Sequence, residues 1–115
     1  DPFPYCGGWS TCEALWMGAP VVTLPGISFS SCVGAGLLSS VGLPQMIARS
    51  VEQYVACAVQ LGRDVDGLAR LREGLRARLA ASSLCDAVTF TRHLEQAYRM
   101  MWRKWCTGDS GTVKG

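Results

Sequence analysis

The spacing of apolar residues along this chain predicts short strands and helices in alternation, followed by three consecutive helices. Residues 20–24 form a β-branched apolar run closed by Pro25-Gly26, which is typical of a buried parallel strand and its turn. Residues 46–48 predict a second, shorter strand. This order predicts an α/β fold: the C-terminal half of a Rossmann-like lobe, with short parallel strands plus helices, ending in a helical tail.

Capping residues mark where the predicted helices begin and end. Ser28 or Ser30 can cap a helix that Gly42 ends, and Ser50, followed three residues later by Gln53, opens another helix that runs to about residue 61. That second helix is expected to bury four side chains: Tyr54, Val55, Ala58 and Val59.

The last two helices each carry an apolar stripe. Asp64 opens the first of them, which presents a row of leucines: Leu68, Leu71, Leu75 and Leu79. Its arginines could bind phosphate, but a solvated helix face is the better interpretation: Arg70, Arg72, Arg76 and Arg78. The final helix, residues 87–105, has apolar residues at a spacing more typical of packing than of recognition: Phe90, Leu94, Ala97, Tyr98, Met101 and Trp105. Residues 107–115 lack apolar content and are expected to be disordered.

Composition and charge exclude several classes of partner. The chain has 115 residues, 49% of them hydrophobic, and a formal net charge of +2. This charge is too small to indicate nucleic acid or an anionic membrane surface. No apolar run approaches the roughly 20 residues of a membrane span, so a soluble protein is expected. Because Asp1 is followed almost at once by a glycine segment, with no strand before it, we expect a piece of a longer protein.

The cysteines predict free thiols rather than a disulfide framework or a zinc site. There are six, none in a Cys-x-x-Cys pair, and His93 is the single histidine of the sequence. Cys32 and Cys57 have apolar neighbours, where a free cysteine behaves as a small hydrophobe. A reducing compartment, cytosolic or nuclear, fits this usage better than an extracellular one.

Segment 7–13 is the candidate binding motif and reads Gly-Gly-Trp-Ser-Thr-Cys-Glu. Glycines before a helix leave its first N–H groups and its partial positive charge open to a phosphate. Ser10 and Thr11 add hydroxyl donors, and the Glu13 carboxylate can accept hydrogen bonds from sugar hydroxyls. Glycine loops before helices are common, however, and Glu13 could simply favour the helix dipole. The dinucleotide fingerprint and the P-loop spacing are both absent from the sequence.

The residues around this segment resemble a known family. The stretches are Asp-Pro-Phe-Pro-Tyr at 1–5, Cys-Glu-Ala-Leu-Trp-Met-Gly at 12–18 and Pro-Val-Val-Thr-Leu-Pro-Gly at 20–26. They are similar to the C-terminal catalytic lobe of the protein O-linked N-acetylglucosamine transferase family, glycosyltransferase family 41. Later stretches, such as Ser-Leu-Cys-Asp at 83–86 and Tyr-Arg-Met-Met-Trp at 98–102, resemble its SPINDLY branch. The resemblance extends to about residue 109.

The resemblance implies a GT-B glycosyltransferase that transfers a sugar to Ser or Thr of intracellular proteins. The donor would be UDP-N-acetylglucosamine or GDP-fucose, and no metal or other cofactor would be needed. Residues 1–106 would be the distal part of the donor-binding lobe, in which Gly7, Gly8, Ser10 and Thr11 hold the diphosphate and Glu13 holds the ribose. The N-terminal catalytic lobe, the proton acceptor and tetratricopeptide repeats would precede Asp1, so residues 1–115 alone should not catalyse transfer.

One residue departs from the family pattern. Trp9 stands where relatives usually carry Thr, and although its indole face could line the sugar pocket, it cannot replace a hydroxyl. A second hypothesis is therefore a non-catalytic relative of the same fold that serves as an interaction surface. A third hypothesis is a GT-B enzyme that acts on lipid or small-molecule acceptors. Upstream helical repeats of 34 residues would count against this third hypothesis.

Overall fold

The computed structural model describes residues 1–108, and the chain divides into two compact units, residues 1–85 and residues 86–115. The first unit contains four α-helices: α1 Trp9–Trp16, α2 Phe29–Ser40, α3 Val51–Arg63 and α4 Val65–Ala80. Two short 3₁₀ helices, Pro44–Met46 and Ser83–Cys85, complete it. The second unit contains α5, Ala87–Cys106. Of the segment predicted to be disordered, residues 109–115 lie outside the described residues.

The predicted helices are confirmed, and the structure settles which serine caps α2. The Ser28 side chain accepts a hydrogen bond from the Ser31 N–H at 3.3 Å, so Ser28 rather than Ser30 is the N-cap. Gly42, with φ of +72°, follows the last turn in the left-handed conformation that glycine adopts readily.

Side-chain caps also open α3 and α4 where the sequence places them. The Ser50 hydroxyl accepts from the Gln53 N–H at 3.2 Å, while Gln53 Oε1 accepts from the Arg49 N–H at 2.7 Å. Asp64 caps α4 by accepting from the Gly67 N–H at 2.8 Å. Each cap satisfies a first-turn N–H group that has no partner within its own helix.

The two predicted strands do not form as strands within residues 1–108. Their segments make one isolated parallel bridge, between Thr23 and Ile47. The Thr23 N–H donates to the Met46 carbonyl at 3.0 Å, and its carbonyl accepts from the Ala48 N–H at 2.8 Å. Longer pairing is blocked because Pro25 closes the first segment and Met46 ends a 3₁₀ helix.

The core of the first unit lies between the two bridged segments and helices α1, α2 and α4. Its buried members come from α1, α2, α4, the first 3₁₀ helix and the intervening loops: Leu15, Val22, Leu38, Val41, Leu43, Met46, Leu75 and Leu79. The leucine stripe of α4 is thus confirmed as a packing face at Leu71, Leu75 and Leu79, whereas Leu68 is half-buried and lies outside this core. The face predicted for α3 is wrong in part, since Val55 is 53% exposed and Ala58 and Val59 are exposed too. α3 instead packs through three residues spaced at helical intervals: Tyr54, Cys57 and Leu61.

Helix α5 of the second unit is amphipathic. The Asp86 carboxylate caps it by accepting from the Thr89 N–H at 2.9 Å, and this bond lowers the pKa of Asp86. The apolar stripe of α5 was predicted to pack, but its large side chains are exposed in the structure: Phe90, Leu94, Tyr98, Met101 and Trp105.

Candidate functional site

The N-terminus of α1 is open to solvent at the candidate motif. Gly8 is the N-cap residue, and no side chain of the described chain caps the helix there. Trp9 and Ser10, the first two helical residues, are exposed. The first backbone N–H groups of α1 and the positive end of its dipole are therefore presented without an internal partner.

The side of segment 7–13 that faces the protein, called the underside here, is held by a polar network. Asp1 supplies one carboxylate oxygen to the Gly7 N–H at 2.7 Å and the other to the Thr23 hydroxyl at 2.7 Å. The Cys6 thiol is buried and donates to the Ser31 carbonyl at 3.0 Å. The carboxylate thus ties the loop to the segment that bridges to Ile47.

Thr11 belongs to the underside as well. Its side chain is 4% exposed, and its hydroxyl donates to the Gly7 carbonyl at 3.0 Å. A Cβ on Gly7 would lie 2.6 Å from that hydroxyl oxygen and 2.8 Å from the Ser10 hydroxyl oxygen, so a larger residue at position 7 would displace these side chains. The Thr11 hydroxyl fixes the loop and is not offered to a ligand, although sequence reasoning assigned it to the diphosphate. Its backbone N–H remains in the first turn of α1.

The opposite side, called the outward side, carries Trp9, Ser10 and Glu13, all exposed. The Trp9 indole is 80% exposed, and its Nε1–H donates to Glu13 Oε1 at 2.8 Å. The structure therefore brings four of the predicted site residues to one accessible surface: Gly8, Trp9, Ser10 and Glu13. It assigns Gly7 and Thr11 to the support beneath that surface.

Arg76 supports the far end of α1. Its Nε–H donates to the Trp16 carbonyl at 3.0 Å, and its guanidinium lies 5.2 Å from the centroid of the Trp16 ring. A cation at a helix C-terminus also suits the dipole. Because eight residues of helix span about 12 Å, this arginine is a full helix length from Gly8. Sequence reasoning placed Arg76 on a solvated face and missed this contact.

An apolar groove runs along the outer face of α1. It encloses about 580 Å³ and is lined by two tryptophans, two cysteines and several other side chains: Trp9, Cys12, Glu13, Trp16, Met17, Leu79, Leu84 and Cys85. Burial raises the pKa of the Cys12 thiol, and the neighbouring Cys85 thiol raises it further. Cys12 is therefore predominantly protonated at neutral pH.

Metal-binding clusters, disulfides and membrane-spanning helices are absent from residues 1–108. Residues 1–108 contain no cluster of three His, Cys, Asp or Glu side chains that could hold a metal ion. All six cysteines are free. None of the five α-helices over that range is both long enough and apolar enough to cross a membrane.

Comparison with known proteins places this chain in a family. The model of glycosyl transferase family 41 matches residues 2–94. The chain belongs to glycosyl transferase family 41. The resemblance inferred from the motifs at 1–5, 12–18 and 20–26 is thereby confirmed.

Family 41 relatives are named as peptide glycosyltransferases. The probable UDP-N-acetylglucosamine–peptide N-acetylglucosaminyltransferase SPINDLY of Petunia hybrida is 49% identical over 114 residues, which is 99% of this chain and 12% of that protein. The UDP-N-acetylglucosamine–peptide N-acetylglucosaminyltransferase of Caenorhabditis elegans is 34% identical over 106 residues, which is 91% of this chain and 9% of that protein. The chain therefore spans a small part of the curated relatives it matches.

A solved structure of an O-GlcNAc transferase has a similar fold over this length. An O-GlcNAc transferase mutant of Thermobaculum terrenum matches with a TM-score of 0.85 and 45% identity, covering 96% of this chain and 21% of that one. The expected fold relationship to O-GlcNAc transferases is confirmed, apart from the strands. Which residues bind a donor stays a prediction.

Proposed function

We propose that segment 7–13 binds the diphosphate and ribose of a nucleotide-sugar donor, within a protein that glycosylates Ser or Thr of other proteins. The supporting observation is the exposed, uncapped N-terminus of α1 in a chain that belongs to glycosyl transferase family 41. The donor is UDP-N-acetylglucosamine or GDP-fucose. The cytoplasm and the nucleus, where nucleotide-sugar donors and acceptor proteins would meet, are the proposed locations.

The proposed diphosphate site uses backbone groups and one hydroxyl. The N–H groups of Trp9, Ser10 and Thr11 lie in the first turn of α1, and Ser10 adds an exposed hydroxyl. Donors that are fixed before the reaction stabilise negative charge as it develops on the departing diphosphate. The helix dipole acts in the same direction, so the proposal requires no metal ion.

The proposed ribose site is the Glu13 carboxylate. Its side chain is exposed on the same side of α1 as Ser10, one turn into the helix. A carboxylate accepts hydrogen bonds and does not donate them, which suits the two hydroxyls of a ribose. Catalytic residues are not assigned to this chain, and we expect no sugar transfer from residues 1–115 alone.

Calorimetric titration of the full-length protein with each donor tests the proposal. Glu13→Ala should weaken donor binding about tenfold, because a hydrogen bond to a charged group contributes about 1.5–3 kcal/mol. Arg72→Ala, an exposed change on α4, is the matched control and should leave the affinity unchanged. Equal affinity of Glu13→Ala and the parent protein would refute the ribose assignment.

A second function is supported by the chemistry of positions 9 and 11. Trp9 carries no hydroxyl, and the Thr11 hydroxyl is bonded to the Gly7 carbonyl, so Ser10 alone presents a hydroxyl to a diphosphate. This favours a non-catalytic relative that serves as an interaction domain. Incubating the full-length protein with labelled UDP-N-acetylglucosamine and GDP-fucose separates the two functions, because an interaction domain turns over neither donor.

A further inference from the structure

Trp9 and Glu13 form a pair on the outward side of α1. They are four residues apart, so their side chains share one face of the helix, one turn from each other. The indole Nε1–H donates to Glu13 Oε1 at 2.8 Å. An indole has a donor and no acceptor, and a carboxylate has acceptors only, so the direction of this bond is fixed.

We propose that Trp9 is a positioning residue that orients the Glu13 carboxylate for a single hydroxyl of the donor ribose. The bond uses one acceptor position of Oε1 and leaves the Oε2 atom the more available oxygen for a ligand. A carboxylate held by one oxygen serves one ribose hydroxyl better than the other, whereas a carboxylate free to rotate accepts from both. The proposal rests on the proposed donor site and adds a specificity to it.

Orientation matters here because both side chains are exposed. An unrestrained glutamate at the surface samples several rotamers, and binding must select one of them. The hydrogen bond from the indole restrains the carboxylate before the donor arrives, and hydrogen bonds to ionised groups are the stronger ones. Trp9 thereby lowers the ordering cost of the ribose contact.

The same indole leaves the helix N-terminus open. A Ser, Thr or Asp side chain near the start of a helix can accept from its first N–H groups and so compete with a phosphate. The tryptophan side chain has no acceptor for them, and its donor is directed to Glu13 instead. Trp9 therefore supports the ribose contact and does not block the diphosphate contact.

The test is a set of calorimetric titrations of the full-length protein with UDP and GDP and with the 2′-deoxy and 3′-deoxy analogue of whichever binds. In the parent protein, one deoxy analogue should bind much more weakly than the ribonucleotide, and the other only slightly more weakly. Trp9→Phe keeps the aromatic ring and removes the N–H, so it should weaken binding of the ribonucleotide about fivefold. In Trp9→Phe, the two deoxy analogues should also show nearly equal reductions in affinity relative to the ribonucleotide.

Two further variants separate positioning from general structure. Trp16→Phe changes the other tryptophan of α1, whose ring lies beside the Arg76 guanidinium, so it should leave the affinity and the asymmetry unchanged. In a Glu13→Ala background, adding Trp9→Phe should have no further effect, because the group that it orients is gone.

Each result decides for or against the positioning role. If Trp9→Phe binds with parental affinity and parental asymmetry, or loses affinity equally for all three nucleotides, the positioning role is overturned while the donor site stands. Equal losses with the two analogues in the parent protein also overturn it. If the folded parent protein binds neither UDP nor GDP, the proposed function fails together with this inference.

Discussion

The underside and the outward side of segment 7–13 carry similar polar side chains, but these side chains have different partners. On the underside, Asp1 and Thr11 each contact the backbone of Gly7, and Asp1 also contacts Thr23. On the outward side, Ser10 and Glu13 are exposed. The polar groups beneath the segment fix its backbone, and those above it are exposed to solvent. Substitutions beneath should therefore change stability, whereas substitutions above should change binding.

The largest loss of stability is expected for a substitution at Gly34, which lies beside the Asp1–Thr23 contact. A Cβ at Gly34 would collide with the Asp1 carboxylate and lie 2.7 Å from the Thr23 hydroxyl oxygen. Gly34→Ala should destabilise the fold by about 2–3 kcal/mol, as overpacking of a close contact does. Urea unfolding followed by circular dichroism measures this as a lower midpoint.

Gly36 is the matched control for that change. It lies two residues further along α2, and a Cβ there would meet nothing within 4 Å. Gly36→Ala should stabilise the protein by up to about 1 kcal/mol, because alanine is the better helix former. Equal midpoints for the two alanine variants would contradict the close packing described beneath segment 7–13.

Thr11 and Ser10 provide the next contrast, since they are adjacent in sequence but Thr11 is buried and Ser10 is exposed. Thr11→Val keeps the shape and removes the hydroxyl that donates to the Gly7 carbonyl, so it should destabilise the fold by about 1–2 kcal/mol. Ser10→Ala, at an exposed position, should change stability by less than about 0.5 kcal/mol.

Donor titrations of the same two variants complete the contrast. Under the proposed function, Ser10→Ala weakens binding although the fold is intact. Thr11→Val should lower the unfolding midpoint and retain most of the affinity at a temperature where it is folded. The reverse pattern would show that the two sides are wrongly assigned.

Arg76 is expected to have a smaller effect because its contacts are at the surface. Arg76→Ala removes the hydrogen bond to the Trp16 carbonyl and the contact with the Trp16 ring, which together stabilise the fold by about 1 kcal/mol. Arg70→Ala, on the same helix and exposed, should change stability by less than about 0.5 kcal/mol. Thermal unfolding of both variants measures the difference. Equal melting temperatures would argue against a role for Arg76 in stabilising the C-terminal end of α1.

Helix boundaries were predictable because their signals are local. Ser50 and Asp64 each accept from an N–H three residues later, a pattern that the sequence displays directly. The inward direction of Thr11 was predictable too, because the buried Leu15 lies four residues further along the same helix. It was missed because hydroxyls beside glycines were all assigned to the ligand.

Other features depend on contacts between distant residues, which one sequence does not reveal. Asp1 and Thr23 are 22 positions apart, and Arg76 and Trp16 are 60 apart. Residues 20–24 have the composition of a strand, but strand formation also requires neighbours with which to pair, and here the pairing stops at one bridge. The choice of Cys57 rather than Val59 as a packing residue of α3 likewise depends on what lies opposite it.

The smallest predicted effect concerns Cys12, which is half-buried between the two sides of α1. Burial and the neighbouring Cys85 thiol raise the pKa of Cys12 above its ordinary value of 9.0, so at pH 9.0 fewer than half of these thiols are ionised in the folded protein. Because the thiolate is the nucleophile, alkylation by iodoacetamide, followed by mass spectrometry of the Cys12 peptide, should show an inflection above pH 9.0. Cys85→Ser should move that inflection toward 9.0, since it removes the neighbouring charge, and unfolding in denaturant should abolish the shift. An inflection at or below pH 9.0 in the folded protein would place Cys12 in water, on the outward side with Ser10.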